Sequence, residues 1–600
     1  MVNSPDIGPT LGPSINELTE SYRDGSLTPS DVIDQVLKKI ADRGDDGAWI
    51  TVLDRSELMI RAGQLEQVGP TGLPLFGIPF GVKDSIDVEG VPTTLACPDY
   101  SYVPTSTAPV VQLLIDAGAI FVGKTNLDQF ATGLNGTRTA YSLPRSVFGG
   151  DLISGGSSSG SALAVATGEV PFTVATDTAG SGRVPPALNG IAGFKPSRGL
   201  ISTLGLVPAC RSLDCISLIA GTVPDLPVVF DVVAGIDQRD PYTRQRSRDV
   251  RDPRTFRVGF PDITELEFFG DGPMRKAHLE ARARIAADHD RIVVAPFAPF
   301  VAAGELLYQG PWVAERLTEF GDFLAEHRNS VLPVIRTILE SGAQYSAVDV
   351  FAAEHRLGEL RAEVSTLWHD MDVLVLPAIG TTFTVDEVFA DPIGANTKLG
   401  HYTHFGNLLD LCAAVVPAGV TTDGRPAALM VLGPALADDR VLAMAAELTG
   451  TFIELPADQL EPAGTDPATT TLVVVGHHLE GQPRSVDLSR RGGKLIGRTV
   501  TSPDYQLLVA DPINPVPVLV AVRPGGAAID VETWEVPSAA LPPILAASSA
   551  SVCLGRVALA DGSTEIGFVA DASVLGRADV TNITEFGGWR NYLAASPVLA

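Results

Sequence analysis

The sequence is short of cysteine, with 5 in 600 residues, at positions 97, 210, 215, 412 and 553. An odd, scattered set excludes a disulfide scaffold and fits a reducing compartment. Cys210 and Cys215 have no further Cys or His nearby to complete a zinc site, so no metal is expected. Positive charge is also scarce: 43 Lys and Arg against 71 Asp and Glu give a net charge of −28. Without a basic surface to neutralise phosphates, nucleic acid is excluded as a partner. No apolar run approaches the ~20 residues of a membrane span, so no membrane association is expected. Met1 to Asp6 lack the basic and apolar segments of a signal peptide, and the expected location is cytoplasmic. No repeat array is visible.

What is present is a globular composition, 45% hydrophobic and 19% charged, in a chain too long for one core. Helical spacing runs from Ser14 to about Arg43, with Ser30-Asp31 as a cap before a second helix. Leu75 to Asp84 reads as a buried strand carrying Lys83. A helix over 110–117, a strand over 119–124 and further strands over 171–176 and 373–377 predict an α/β domain around a largely buried sheet. The region 276–367 reads as mostly helical, and a last helix opens at Val441. A Pro/Ala/Gly/Asp-rich stretch then marks a boundary, and beyond Leu472 the pattern is strand-rich. The expected organisation is residues 1–455, a linker at 456–470 and a second domain at 471–600.

Two glycine-rich turns stand out, Gly155-Gly156-Ser157-Ser158-Ser159-Gly160-Ser161 and Thr176 to Arg183, flanking the apolar run Ala162 to Ala166. Glycines let main-chain N–H groups approach a ligand closely, and a serine held among them has the setting of an acyl-transfer nucleophile. The competing reading is a flexible Gly/Ser loop, against which the apolar run and Asp177/Arg183 argue. A serine needs a base, and neither turn contains histidine. Lysine serves if burial lowers its pKa, as an apolar strand would do for Lys83. The competing reading of Lys83 is a paired structural lysine.

With these residues the chain resembles the amidase signature family, whose fold is a central mixed sheet covered by helices and whose members use a Ser-Ser-Lys triad. The resemblance assigns Lys83 as base, Ser157 as bridge after a cis Gly156-Ser157 peptide, and Ser181 as nucleophile. The amides of Thr178, Ala179, Gly180 and Ser181 would form the oxyanion hole. Asp177 and Arg183 are expected to brace the turn, and Ser158, Ser159 and Ser161 to serve as turn and cap residues. The family's commonest turn has glycine at Ala179 and a bulkier apolar residue at Gly182, and this departure resembles the allophanate hydrolases. So do the stretches 124–138 and 399–410. Leu307 to Arg316 carries the tyrosine and arginine that in that branch hold a carboxylate, here Tyr308 and Arg316. Eight residues apart, they would share one face of a helix, and a guanidinium suits a planar carboxylate. The competing reading is a packed tyrosine and an exposed arginine.

In the tail, Val475-Gly476-His477-His478-Leu479-Glu480-Gly481-Gln482-Pro483 resembles the allophanate hydrolase C-terminal domain, with its γ-glutamylcyclotransferase-like fold. The resemblance links His478 to decarboxylation of the first product, and a structural histidine is the open alternative. Where the family continues Pro-Leu-Asn, this chain has Pro483-Arg484-Ser485. The resemblance thus implies hydrolysis of allophanate (urea-1-carboxylate) to ammonia and N-carboxycarbamate, without a cofactor, by a homodimer with urea carboxylase as pathway partner. The alternatives are an amidase for another small amide and a non-catalytic binding protein on the same fold.

Overall fold

The computed structural model describes residues 8–249, 251–451, 469–510, 515–522, 525–537, 540–546, 552–570, 574, 577 and 580–595. The chain divides into two units, Met1–Glu454 and Leu455–Ala600. Most of the expected linker, residues 456–468, lies outside the described residues.

The first unit opens with helices Ile15–Asp24 and Pro29–Arg43. The second starts on Thr28 rather than on Ser30-Asp31. The Thr28 hydroxyl accepts the Asp31 amide at 3.2 Å and the Asp31 carboxylate accepts the Thr28 amide at 2.9 Å. Asp31 is therefore the return half of a capping box, and Pro29 fills the first helical position, where a missing N–H costs nothing.

Eleven strands form the sheet of this unit: β1 (Trp49–Val52), β2 (Pro79–Lys83), β3 (Ile120–Thr125), β4 (Phe172–Asp177), β5 (Ala192–Lys195), β6 (Cys215–Ala220), β7 (Val258–Pro261), β8 (Ile292–Ala295), β9 (Val373–Pro377), β10 (Cys412–Val420) and β11 (Pro426–Gly433). Their order is β1-β3-β2-β4-β6-β5-β10-β11-β9-β7-β8. Pairings β3–β2–β4 and β9–β7–β8 are parallel, while the six others are antiparallel, so the sheet is mixed. Side chains alternate across a strand, and here each alternation feeds a different core. Val373 and Val375, Cys412 and Ala414, and Leu429 and Val431 pack on one face. Leu374 and Leu376, Ala413 and Val415, and Met430 and Leu432 pack on the other. A sheet covered on both faces needs near-continuous apolar strands, which is why β9 is so plain in the sequence. The expected helical region holds five helices between Gly272 and Leu367, interrupted by the edge strand β8.

The second unit contains, among the described residues, an eight-stranded sheet: β12 (Thr469–Val474), β13 (Lys494–Val500), β14 (Tyr505–Ala510), β15 (Val516–Ala521), β16 (Asp530–Pro537), β17 (Val552–Ala558), β18 (Thr564–Ala570) and β19 (Thr581–Asn582). The order is β13-β16-β12-β18-β15-β14-β19, with β17 also on β18. Leu472, Leu507, Leu519, Trp534, Val557 and Trp589 belong to its core.

Candidate active site

Strands β2 and β4 lie side by side and parallel, so their C-terminal ends, Lys83 and Asp177, emerge at the same edge of the sheet. Ligand crevices in α/β sheets form at that edge. The buried helix Ser159–Ala166 connects the two serine turns. Lys83 is wholly buried, and its Nζ donates to Ser157 Oγ at 2.7 Å and to Thr176 Oγ1 at 2.7 Å. Ser157 Oγ lies 2.9 Å from Ser181 Oγ. The three residues expected to form a relay are thus joined end to end. These bonds suit a protonated lysine, and with a neutral lysine both hydroxyls turn round and the proton path runs from Ser181 to Lys83. Burial pushes Lys83 down to about 7, and the neighbouring Arg316 acts the same way, while the charges of Asp128, Asp177 and Asp214 act against it.

The turn is held from several sides. The Gly156-Ser157 peptide is cis. Asp128 donates its amide to Ser157 O at 3.0 Å, and its carboxylate accepts the amides of Gly136 and Arg138 at 3.1 and 2.9 Å. That carboxylate leaves no room at 156 for a side chain: a Cβ there would meet Asp128 Oδ2 at 2.0 Å. Gly182 is required for the same reason, since a Cβ would meet Ser217 Oγ at 2.4 Å. The bulkier residue of the common family turn is therefore excluded here.

Asp177 and Arg183 brace the turn as expected. Arg183 Nε and Nη2 donate to Asp177 at 2.9 and 2.8 Å, with both side chains fully buried. The remaining guanidinium donors reach Thr403 O at 2.9 Å and Asn407 Oδ1 at 3.0 Å. Asp177 Oδ1 also accepts the Gly180 amide at 2.9 Å. This corrects the expected oxyanion hole, because the Gly180 N–H is directed at a carboxylate. Among the described residues no acceptor takes the amides of Thr178, Ala179 or Ser181. The cap reading of the serines also changes. Ser158 precedes the helix but makes no capping bond, its hydroxyl donating to Thr176 O at 3.2 Å, while Ser161 pairs with Thr125 at 2.6 Å.

Tyr308 and Arg316 do not share a helix. Tyr308 ends the helix Ala298–Tyr308, and Arg316 lies in the next, Trp312–Glu326. Gln309-Gly310-Pro311 separates them because proline cannot continue a helix from within. The turn nevertheless returns Arg316 to Tyr308, with Nη2 3.5 Å from the phenol oxygen and the guanidinium carbon 5.5 Å from the ring centre. Arg316 is 1% exposed. Its Nη1 donates to Thr132 Oγ1 at 2.9 Å, and no carboxylate forms an ion pair with it among the described residues. Thr132 follows Phe130 and Ala131, both held at left-handed φ of 54° and 50°, a strained backbone of the kind that collects at functional sites.

Sequence reasoning passed over Thr176, Thr132, Asp128, Asn407 and Asp214. Asp128, Thr132 and Asn407 lay inside stretches that carried the family resemblance, but nothing in those stretches marks which side chain a fold will bring against the site. Asp214, buried and pushed up to about 6, accepts the Thr178 hydroxyl. His478 lies in a turn after β12, buried and stacked on Phe568 with ring centres 4.8 Å apart. Two residues on, the Glu480 amide donates at 2.6 Å to Glu532, which also accepts Arg590 and Arg498 at 2.8 and 3.1 Å.

Comparisons with known proteins place the chain in a family. The Amidase family model matches residues 31–442, and the Allophanate hydrolase C-terminal domain model matches 470–594. The urea amidolyase of Lachancea kluyveri is 34% identical over 97% of this chain and 33% of its own length. The urea amidolyase of Saccharomyces cerevisiae is likewise 34% identical, over 97% of this chain and 33% of its own length. The chain therefore spans about a third of the length of these two relatives. The Kluyveromyces lactis allophanate hydrolase structure is 34% identical, covers 98% of this chain and 100% of its own, and superposes with a TM-score of 0.71. A serine–serine–lysine edge, a second domain matched by its own family model and a full-length structural relative lead to one conclusion: the chain belongs to the amidase family, in the two-domain group that includes the allophanate hydrolases.

Proposed function

We propose that the protein hydrolyses allophanate to ammonia and N-carboxycarbamate. The observation that carries this reading is Arg316, a buried guanidinium without a carboxylate partner beside the Lys83–Ser157–Ser181 chain. Asp214 and Glu315 favour its charge without bonding to it, and a substrate carboxylate would supply the direct partner it lacks. Arg316 donates two hydrogen bonds to it and Tyr308 a third.

Held there, the substrate presents its terminal amide carbonyl to Ser181. Lys83, neutral above about 7, receives the Ser181 proton through Ser157 as Oγ attacks. The oxyanion lies against the amides of Thr178, Ala179 and Ser181, each such donor worth about 3 kcal/mol in the transition state. The proton returns by the same path to the leaving nitrogen, ammonia departs, and water attacks the acyl-enzyme with Lys83 again as base. N-carboxycarbamate then takes up protons and breaks down completely to two carbon dioxide and one ammonia. His478 is the candidate for assisting that step in the second domain. The urea amidolyase relatives support a link to urea degradation and to a urea carboxylase that supplies the substrate. A homodimer in the cytoplasm completes the proposal, and no described helix is long and apolar enough to cross a membrane.

Ammonia release from allophanate by the wild type and by Ser181→Ala tests the reading. Turnover is expected from the wild type and none above background from the variant. Turnover of biuret, which lacks the carboxylate, in preference to allophanate would overturn the substrate assignment.

A further inference from the structure

The loop 209–214 belongs neither to the serine–lysine relay nor to the arginine clamp, yet it is bonded to the helix that carries Arg316 and to the turn that carries Ser181. At one end Ser212 donates its amide and hydroxyl to the two carboxylate oxygens of Glu315 at 2.7 and 2.6 Å, and Cys210 Sγ lies 3.7 Å from Trp312 O. Both partners are on the helix of Arg316, and Glu315 is its immediate neighbour in the chain. At the other end the loop closes on buried Asp214. Asp214 Oδ2 accepts the amides of Ala209 and Cys210 at 2.8 and 3.1 Å, and Oδ1 accepts the Thr178 hydroxyl, on the first residue of the oxyanion turn. Leu213 O accepts Asn407 Nδ2 at 2.9 Å, and the same nitrogen donates to Asp177 O at 2.7 Å.

We propose that this loop is a strut by which the clamp helix sets the oxyanion turn, with Asp214 and Glu315 as positioning residues. The proposal rests on Ser181 as nucleophile and Arg316 as clamp. Donors must stand about 2.7–3.1 Å from the developing oxyanion, and a displacement of 1 Å can cost ~100-fold in rate. A turn fastened to the helix that holds the substrate's far end keeps the two ends of the substrate in register.

The decisive reagent is a small neutral fluorophosphonate, which reacts with Ser181 but has no carboxylate for Arg316. Glu315 also acts on the Arg316 charge, so Ser212→Ala, which leaves the carboxylate in place, isolates the strut. In the full chain, Ser212→Ala and Glu315→Ala are expected to slow Ser181 labelling about tenfold, and to lower kcat for allophanate by a similar factor with KM within twofold. Labelling within twofold of wild type in both variants would overturn the strut, whatever happens to KM. Ser212→Ala removes a single hydroxyl and decides the matter if Glu315→Ala fails to fold.

A second readout separates position from charge. Lys83 faces Asp128, Asp177, Asp214 and Arg316. Asp214→Asn removes one of the charges that raise its pKa, so the acid limb of the labelling rate moves to lower pH. Thr178→Val removes the hydroxyl that Asp214 accepts and leaves the carboxylate in place, so the labelling rate falls through lost positioning of the turn. Wild-type rates in both variants would refute the role of Asp214. Wild-type protein that labels but releases no ammonia from allophanate would refute the substrate reading alone.

Discussion

Two buried arginines, Arg183 and Arg316, lie near Ser181, the proposed nucleophile, and they are bonded in opposite ways. Arg183 has every donor engaged: two bonds to Asp177, one to Thr403 O, one to Asn407 and a long one to Met430 Sδ. Arg316 has a threonine hydroxyl, a distant phenol and no carboxylate. The first arrangement fixes a loop, because breaking a buried pair leaves a stranded charge. The second leaves hydrogen-bonding capacity in a water-poor site, available only to an anion that enters. The lesson is that burial does not distinguish a structural arginine from a binding one. The count of satisfied donors does.

Arg183→Ala is the most severe way to test the contrast. Arg183 is what holds the buried Asp177 carboxyl below its usual range against the effect of burial. Its loss is expected to cost about 3–5 kcal/mol of stability and to abolish labelling of Ser181, measured by denaturant unfolding and by probe incorporation. Arg316→Ala should behave otherwise. Stability holds, labelling by the neutral probe stays within a few-fold, and kcat/KM for allophanate falls by the ~10–150-fold that about 1.5–3 kcal/mol represents. Equal loss of labelling in the two variants would erase the distinction.

A smaller effect reads the same difference through pH. Lys83 works as a base when neutral, so kcat/KM should rise tenfold per unit up to about 7 and then level off. The Arg316 charge helps to keep Lys83 low, so in Arg316→Ala the acid limb should move to higher pH. A limb that stays in place would remove Arg316 from the surroundings of the lysine.

The smallest effect concerns His404, which faces both arginines. Burial first, then Arg183, His401 and Arg316, push it down to about 3, with Asp177 acting against them. Its ring packs on Tyr308 with centres 5.0 Å apart. In the unfolded chain a histidine titrates near 6.5. Its contribution to stability is therefore complete above ~6.5 and lost as pH falls toward about 3. His404→Phe should flatten the acid side of the stability–pH curve, followed by tryptophan fluorescence, and an unchanged curve would place the acid lability elsewhere.

The relay was legible because its parts are local. Each serine turn advertises itself by glycine, and a lysine in an apolar strand is an anomaly at any distance. β9 was legible for a similar reason, since a strand buried on both faces is apolar throughout. The antiparallel β5, β6, β10 and β11 were not marked, their pairing being a matter of distant partners. The Tyr308–Arg316 spacing fitted one helix, and the chain makes two, because Gly310-Pro311 outweighs the periodicity around it.

The sequence by itself therefore determined the candidates: two glycine-rich serine turns and a lysine in an apolar strand, in an acidic chain poor in cysteine. The tertiary structure decided what each group faces. It directed the Gly180 amide to Asp177, left Arg316 without a carboxylate in contact, and tied Thr178 through Asp214 to the helix of Glu315. The division has one physical cause. Backbone conformation follows from neighbours in the chain, whereas the state of a buried charge depends on partners that only folding brings within 3 Å.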